Sequence, residues 1–282
     1  MKVVKDCDKI VIENCKDFDL KDILECGQVF SYIKKDDNNY TVISLDKIAD
    51  IKIDENLTII HTKYVDYFYN YFDLSTNYSK IKQEILNLNS VFSKFLNCGK
   101  GIRILKQDTF QSIISFIVSA NNNIKRIRNI LFKISEKFGK KIEGEDYSSF
   151  PKLEELIKAT KEDFLTLGAG YRSEYLVETI QKLNTKEYNL KDLSKLPTKE
   201  LRKKLLYLKG VGPKVADCIL LFGFYRTDVF PVDTWIKKAY YLFETKKVSE
   251  EKIADYFVNM FKDLSGFAQQ YLFNYMINFS NN

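Results

Sequence analysis

Histidine is nearly missing from this chain: it occurs once in 282 residues, at His61. A lone imidazole excludes the usual zinc centres and every histidine-based triad, so any acid–base or nucleophilic chemistry falls to lysine and carboxylate. Cysteine is sparse too. Cys7, Cys15, Cys26, Cys98 and Cys218 make an odd number without paired spacing, which reads as reduced thiols of a cytoplasmic protein and implies no metal cluster. No stretch approaches ~20 apolar residues, and the start, MKVVKDCDKIVIENC, has no apolar core, so neither a membrane span nor a signal segment is expected. What is present is the composition of a folded globule, 45% hydrophobic and 14% aromatic, rather than of a disordered chain. The net charge of +6 and pI near 8.8 suit a polyanionic partner without demanding one. Heavy use of Lys, Ile, Asn and Tyr hints at an AT-rich bacterial source, by association alone.

Residues 1 to about 62 read as short strands. KIVIEN, QVFSYI, YTVISL, ADIKI and LTIIHT alternate or run apolar between polar turns, with a hairpin connection from Lys34 to Asn39, and an antiparallel sheet is their natural packing. Between the first two strands, DLKDILECGQVF predicts a short helical turn that Gly27 closes as a C-cap. From Lys63 to Leu96 the spacing turns helical, with Tyr64, Tyr67, Phe68, Tyr71 and Phe72 forming an aromatic stripe that belongs to packing. Cys98-Gly-Lys-Gly101 is a hinge. The fold class is therefore α+β, an N-terminal antiparallel sheet domain with flanking helices over 1–100 and an all-α region over 101–282.

Within that region Asp108 to Ser119 predicts a buried helix, and the three asparagines 121–123 predict a break with a new cap, Asn123 or a neighbour, for a helix over Ile124–Phe138. Such a loop is either an ordinary turn with a solvated basic face or, through its amides and Arg126, an element able to read base edges. Short helices are expected at 151–159 and 161–166. LGAGYRS then makes a Gly-x-Gly reversal from which Tyr171 and Arg172 would project, unless the aromatic tucks into the core.

The stretch 198–238 organises the rest. Thr198 is a plausible N-cap for a helix with Leu201, Leu205 and Leu208 on one face. Lys209-Gly-Val-Gly212 forces a tight reversal, and Pro213 opens a second helix. Hairpin amides and a helix N-terminus together suit a phosphate, although a Gly-x-Gly between helices is more commonly only a turn. Lys214 lies in the first turn, where dipole and burial make a free nucleophilic amine near neutral pH attainable. Asp233 in PVDTW reads as an N-cap whose carboxylate stays ionised. Asp217 is a competing carboxylate, three residues from Lys214, whose ordinary use is a local ion pair.

The string LKGVGPKVADC followed by VDT resembles the helix-hairpin-helix DNA glycosylase superfamily, and KVADC resembles its 8-oxoguanine DNA glycosylase/AP lyase branch. That resemblance implies Lys214 as nucleophile, Asp233 as essential carboxylate and a combined base-excising and strand-cutting activity. It implies a base pocket of Gly27 (through its carbonyl), Cys218, Gln269 and Phe273, where Cys218 is otherwise simply a small hydrophobe. For DNA it implies Asn121 filling the gap of the flipped base, Arg126 and Arg172 on the opposite cytosine, Tyr171 as wedge, and Gly210 and Gly212 at the backbone. Trp235 stands where the family usually has histidine; tryptophan carries no proton, which puts a phosphate contact and the pH behaviour in question. The resemblance also implies a monomer acting on 8-oxoguanine-containing duplex DNA in the bacterial nucleoid, without membrane or cofactor. The four-cysteine iron–sulfur loop of related glycosylases is missing, since no cysteine follows Cys218. A cation on hairpin carbonyls such as Leu208 and Val211 is compatible with the family. Two alternatives stand beside this: a related glycosylase for another lesion, and a silent helix-hairpin-helix DNA-binding module.

Overall fold

The computed structural model describes residues 1–279. Six antiparallel strands form one sheet in the order β1-β2-β6-β5-β4-β3: β1 Lys2–Lys5, β2 Lys9–Glu13, β3 Tyr32–Lys34, β4 Asn39–Ser44, β5 Lys47–Asp54 and β6 Leu57–His61. Alternation does the work. Ile10, Ile12, Tyr40, Val42, Ala49, Ile51 and Ile60 point to one face, where they bury helices α1 (Leu20–Leu24) and α2 (Val65–Tyr71). The aromatic stripe packs there as expected, with Phe68, Tyr71 and Phe72 buried in edge-on contacts.

Two local expectations are corrected. β1 escapes the pattern because it is an exposed edge strand, KVVK, with no fully buried residue. QVFSYI is strand only from Tyr32, because Gln28 turns inward to hydrogen-bond backbone and Phe30 joins the helical core instead of the sheet.

On α1, burial reinforced by the neighbouring Asp19 pushes the Asp22 carboxyl up to about 6, against the opposing Gly101 N–H that it accepts at 3.1 Å. The folded chain holds this proton more tightly than the unfolded one. Its stabilising contribution is complete below the ordinary value of 3.8 and is lost as pH rises to about 6. Asp22→Asn should therefore raise Tm at pH 7 by a few degrees and leave it nearly unchanged at pH 3, below the ordinary value, which thermal melts across that range will show.

Helices α3 (Tyr78–Leu88) and α4 (Ser93–Cys98) pack against the C-terminal helices rather than the sheet, and Ile85, Phe92, Phe95 and Leu96 lie in the helical core. The sheet's core therefore runs to Leu74 and then takes in only Leu105, beyond the hinge at 98–101. Arg103, fully buried, sews the two parts together by donating to the carbonyls of Asp17, Phe72, Asp73 and Thr76.

The body is built on α5 (Thr109–Ser119), buried along almost its whole length, as its apolar run requires. Asn123 caps α6 (Ile124–Phe138) by accepting the Arg126 N–H at 2.9 Å, as the asparagine run predicts. Short helices α7 (Leu153–Leu156) and α8 (Lys161–Thr166) lead to α9 (Arg172–Leu183), and α10 (Leu190–Leu193) leads to the pair α11 (Thr198–Leu206) and α12 (Pro213–Gly223). Thr198 is not the cap of α11. Pro197 is, and the Thr198 hydroxyl donates to Asp228 instead. Helices α13 (Thr234–Tyr240), α14 (Glu250–Phe261) and α15 (Ser265–Phe279) close the body. Among the described residues no helix is long and apolar enough to cross a membrane, and the five cysteines are free.

Candidate active site and nucleic-acid face

The α11–α12 hairpin takes its shape from two glycines with different duties. Gly210 has φ +79°, and a side chain there would sit 2.6 Å from the Tyr175 ring, so only glycine fits. Gly212 is the N-cap of α12 with ordinary φ, and nothing lies within 4 Å of where a Cβ would be. Its backbone faces open space. No side chain caps α12, so its first amides remain available to an anion, with the helix dipole behind them. The Leu208 carbonyl accepts the Val211 N–H at 3.2 Å, which closes the turn.

One helical turn further, α12 delivers Lys214 and Cys218 into a cavity. Phe222 from the same helix, Phe116 from α5, Pro231 and Asp233 from the segment before α13, Gln269, Gln270 and Phe273 from α15, and Cys26 and Gly27 from the loop after α1 complete its lining. The Lys214 ammonium nitrogen lies 5.8 Å from the centre of the Phe116 ring, which itself stacks on Phe222. Asp233 caps α13, its carboxylate accepting the Ile236 N–H at 2.9 Å. Lys214 and Asp233, 19 positions apart in sequence, thus share one small chamber.

Burial pushes the Cys218 thiol up to about 11; the Lys214 charge opposes this, and those of Asp217 and Asp233 add to it. Cys218 therefore stays a neutral thiol at physiological pH. Gln269 is 5% exposed and donates its amide to the Pro231 carbonyl at 3.2 Å. Its own oxygen is buried with no hydrogen-bond partner. Such an orphan acceptor is costly unless something arrives to donate to it. The chamber itself is narrow: free space of about 40 Å³ holds a water or two and no nucleobase.

Gly27, with φ +79°, lies two residues beyond the Glu25 C-cap of α1 rather than forming the cap. Asp217 points elsewhere, into a two-bond ion pair with Arg202 at 2.6 and 3.1 Å. Its partner is thus on α11, not the nearby Lys214.

A second group of polar side chains gathers where the asparagine loop meets the α8–α9 turn. Asn121 is exposed, with a left-handed φ of +49°, and Arg126, exposed, donates to the Gly168 carbonyl at 3.2 Å. Tyr171 is 53% exposed, its hydroxyl 3.3 Å from the Ala120 carbonyl. Arg172 does not project as the sequence predicts. It is 3% exposed and donates to the carbonyls of Ala120, Asn121 and Ala169, bracing the asparagine loop against the α8–α9 turn. The backbone supplies three acceptors within reach, and a guanidinium satisfies them better than water does. Trp235 is half-buried on α13 outside the chamber, with the Lys238 ammonium 4.6 Å above its ring.

Sequence reasoning missed Phe116, Phe222, Cys26, Pro231 and Gln270. The two phenylalanines sit among apolar neighbours in buried helices, where no local signal separates a cavity wall from core. Gln270 adjoins Gln269, and only the helix phase tells their duties apart.

Comparison with known proteins fits this geometry. Residues 10–113 match the family described as 8-oxoguanine DNA glycosylase, N-terminal domain, and residues 114–269 match the HhH-GPD superfamily base excision DNA repair proteins. A probable N-glycosylase/DNA lyase of Methanothermobacter thermautotrophicus is 29% identical over 72% of this chain and 70% of its own length. The N-glycosylase/DNA lyase of Saccharomyces cerevisiae is 40% identical over 49% of this chain, a stretch spanning under half, 41%, of the yeast protein. Among solved structures, the Clostridium acetobutylicum 8-oxoguanine glycosylase/lyase, in complex with double-stranded DNA containing cytosine opposite 8-oxoguanine, superposes with a TM-score of 0.92. It is 37% identical and covers 100% of this chain and 99% of its own.

Proposed function

Because the chain belongs to the HhH-GPD superfamily of base excision DNA repair proteins, with the N-terminal domain of the 8-oxoguanine DNA glycosylases, we propose that it excises 8-oxoguanine opposite cytosine from duplex DNA and then cuts the strand as an AP lyase. The observation that carries this is the shared chamber of Lys214, Asp233 and an unpartnered Gln269 acceptor. The Gly210–Gly212 hairpin amides grip backbone phosphate, with Trp235 alongside. Tyr171 wedges into the stack, Asn121 fills the place of the departed base, and Arg126 holds the orphaned cytosine. Arg172 reaches that cytosine only by giving up one of its carbonyls.

Eversion costs a few kcal/mol of lost stacking, which contacts to the base must offset. The base enters between Cys218 and Phe273, which must part to admit it, and donates to the Gln269 oxygen and the Gly27 carbonyl. The Lys214 nitrogen attacks the sugar's anomeric carbon, and the C–N bond to the base breaks as the base takes up a proton released by that nitrogen. The Asp233 carboxylate stabilises the positive charge that develops on the sugar. The sugar ring then opens: the lysine nitrogen forms a double bond to C1′ as the C1′–O4′ bond breaks and O4′ takes up a proton. The resulting Schiff base makes the adjacent C2′ proton acidic, and its loss expels the 3′ phosphate.

This chemistry is complete with lysine and carboxylate and calls on no cofactor. The hairpin carbonyls suit a hard cation, since carbonyl oxygen is its preferred ligand. Leu208 and Val211 would hold it, and it would supply positive charge beside the bound phosphate. The chain acts as a monomer, and its place is with the DNA, in the cytoplasm of a bacterial cell.

Single-turnover assays on duplexes that differ only in one lesion test the substrate. Excision of 8-oxoguanine opposite cytosine is expected to exceed that of an oxidised pyrimidine or alkylated base by at least about a hundredfold, the difference a mispaired buried polar set imposes. Equal or faster release of another lesion would reassign the enzyme, and no release of any lesion with binding intact would make it a silent module.

A further inference from the structure

Three successive carbonyls, those of Cys26, Gly27 and Gln28, run along the loop that lines the chamber. The outer two are taken by glutamine amides. Gln270 donates to the Cys26 carbonyl at 3.1 Å, and Gln107 donates to the Gln28 carbonyl at 2.8 Å. Among the described residues no hydrogen bond reaches the Gly27 carbonyl between them. The side chain of Gln28, fully buried, anchors the loop from beneath: it donates to the Ile23 and Arg103 carbonyls, both at 2.8 Å, and accepts the Leu105 N–H at 2.9 Å.

The physical need for this arrangement comes from Gly27 itself. A glycine at φ +79° is the most mobile hinge a backbone can have. With the peptide planes on both sides pinned, the Gly27 plane loses that freedom, and its oxygen is left as a fixed acceptor on the loop that lines the cavity. Holding an acceptor in place before the ligand arrives removes the ordering cost from the binding step.

We infer that Gln28, Gln107 and Gln270 are positioning residues that clamp the Gly27 loop, and that the clamp, not Gly27 alone, sets the enzyme's preference for an oxidised purine. The inference rests on the proposed function. In guanine N7 is an acceptor; oxidation at C8 turns it into an N–H donor. A rigid lone acceptor facing that atom rewards the lesion and repels the parent base. A floppy one could turn away and do neither.

Two variants test it, Gln107→Ala and Gln270→Leu, each removing one arm, and each compared with the wild type on two substrates. One is an 8-oxoguanine·cytosine duplex, scored for base release in a single turnover. The other is a duplex with a preformed abasic site, scored for strand cleavage, which involves no base recognition. Misfolding scales both reactions equally, so the ratio of base release to cleavage isolates positioning. That ratio is expected to fall about tenfold in each variant, the worth of roughly one hydrogen bond. A ratio unaltered in both variants, beside an active wild type, overturns the clamp while leaving the proposed function standing. A wild type that cuts the abasic site but leaves 8-oxoguanine in place overturns the substrate reading, and the clamp with it.

Discussion

Lys214→Gln should abolish base excision and strand cleavage together, each by at least about a thousandfold, because one amine makes both the attack and the Schiff base. Glutamine keeps length and polarity, and Lys214 is only half-buried beside Phe116, so the variant should melt within a degree or two of the parent. The α12 amides and Gly212 are untouched, so duplex affinity should survive. Binding isotherms beside single-turnover rates check all three expectations, and loss of binding in parallel with activity would move the lysine from chemistry to docking.

Asp233 and Asp217 should part company under the same conservative exchange. Asp233→Asn keeps a capping oxygen for the Ile236 N–H, so stability should change little. The negative charge facing the sugar is gone, and base release should slow by about 10²–10³-fold, the scale of losing one well-placed electrostatic partner. Asp217→Asn should do the reverse. It exchanges an ion pair with the partly exposed Arg202 for a hydrogen bond to a neutral amide. Because burial already pushes the Asp217 carboxyl up, the cost is small, about 1 kcal/mol and a Tm lower by a degree or two, while the folded fraction keeps its rate. Rates and melts on the two variants check this, and a slow, stable Asp217→Asn would exchange the roles of the two acids.

Much of this was legible in the residue order because the decisive elements are local. A proline after Gly212 starts a helix through its fixed φ, while Asn123 caps α6 and Asp233 caps α13, each of these two accepting the amide three positions on. Alternation gave five of the strands but not β1, whose exposed KVVK buries too little to leave a pattern. The motif resemblance supplied Lys214, Asp233, Cys218, Gln269 and Phe273, and the fold places all five around one cavity. Contacts set by tertiary packing could not be read. Arg172 looks like an exposed cation beside an exposed tyrosine, and only the approach of the α5–α6 loop shows that its donors are spent on carbonyls. The partner of Asp217 likewise depends on how α11 folds back on α12, not on helical spacing. The limit of the sheet's core shifted for the same reason: α3 and α4 precede the hinge in sequence, yet their apolar faces match the C-terminal helices.

The most direct test of the central claim is borohydride reduction during turnover on an 8-oxoguanine·cytosine duplex, followed by denaturing electrophoresis. Wild-type chain should become covalently joined to the lesion strand, with the adduct mapping to residue 214, and Lys214→Gln should give none. An adduct that persists in Lys214→Gln, or a wild type that releases the base yet is never captured, would contradict a lysine-bound intermediate.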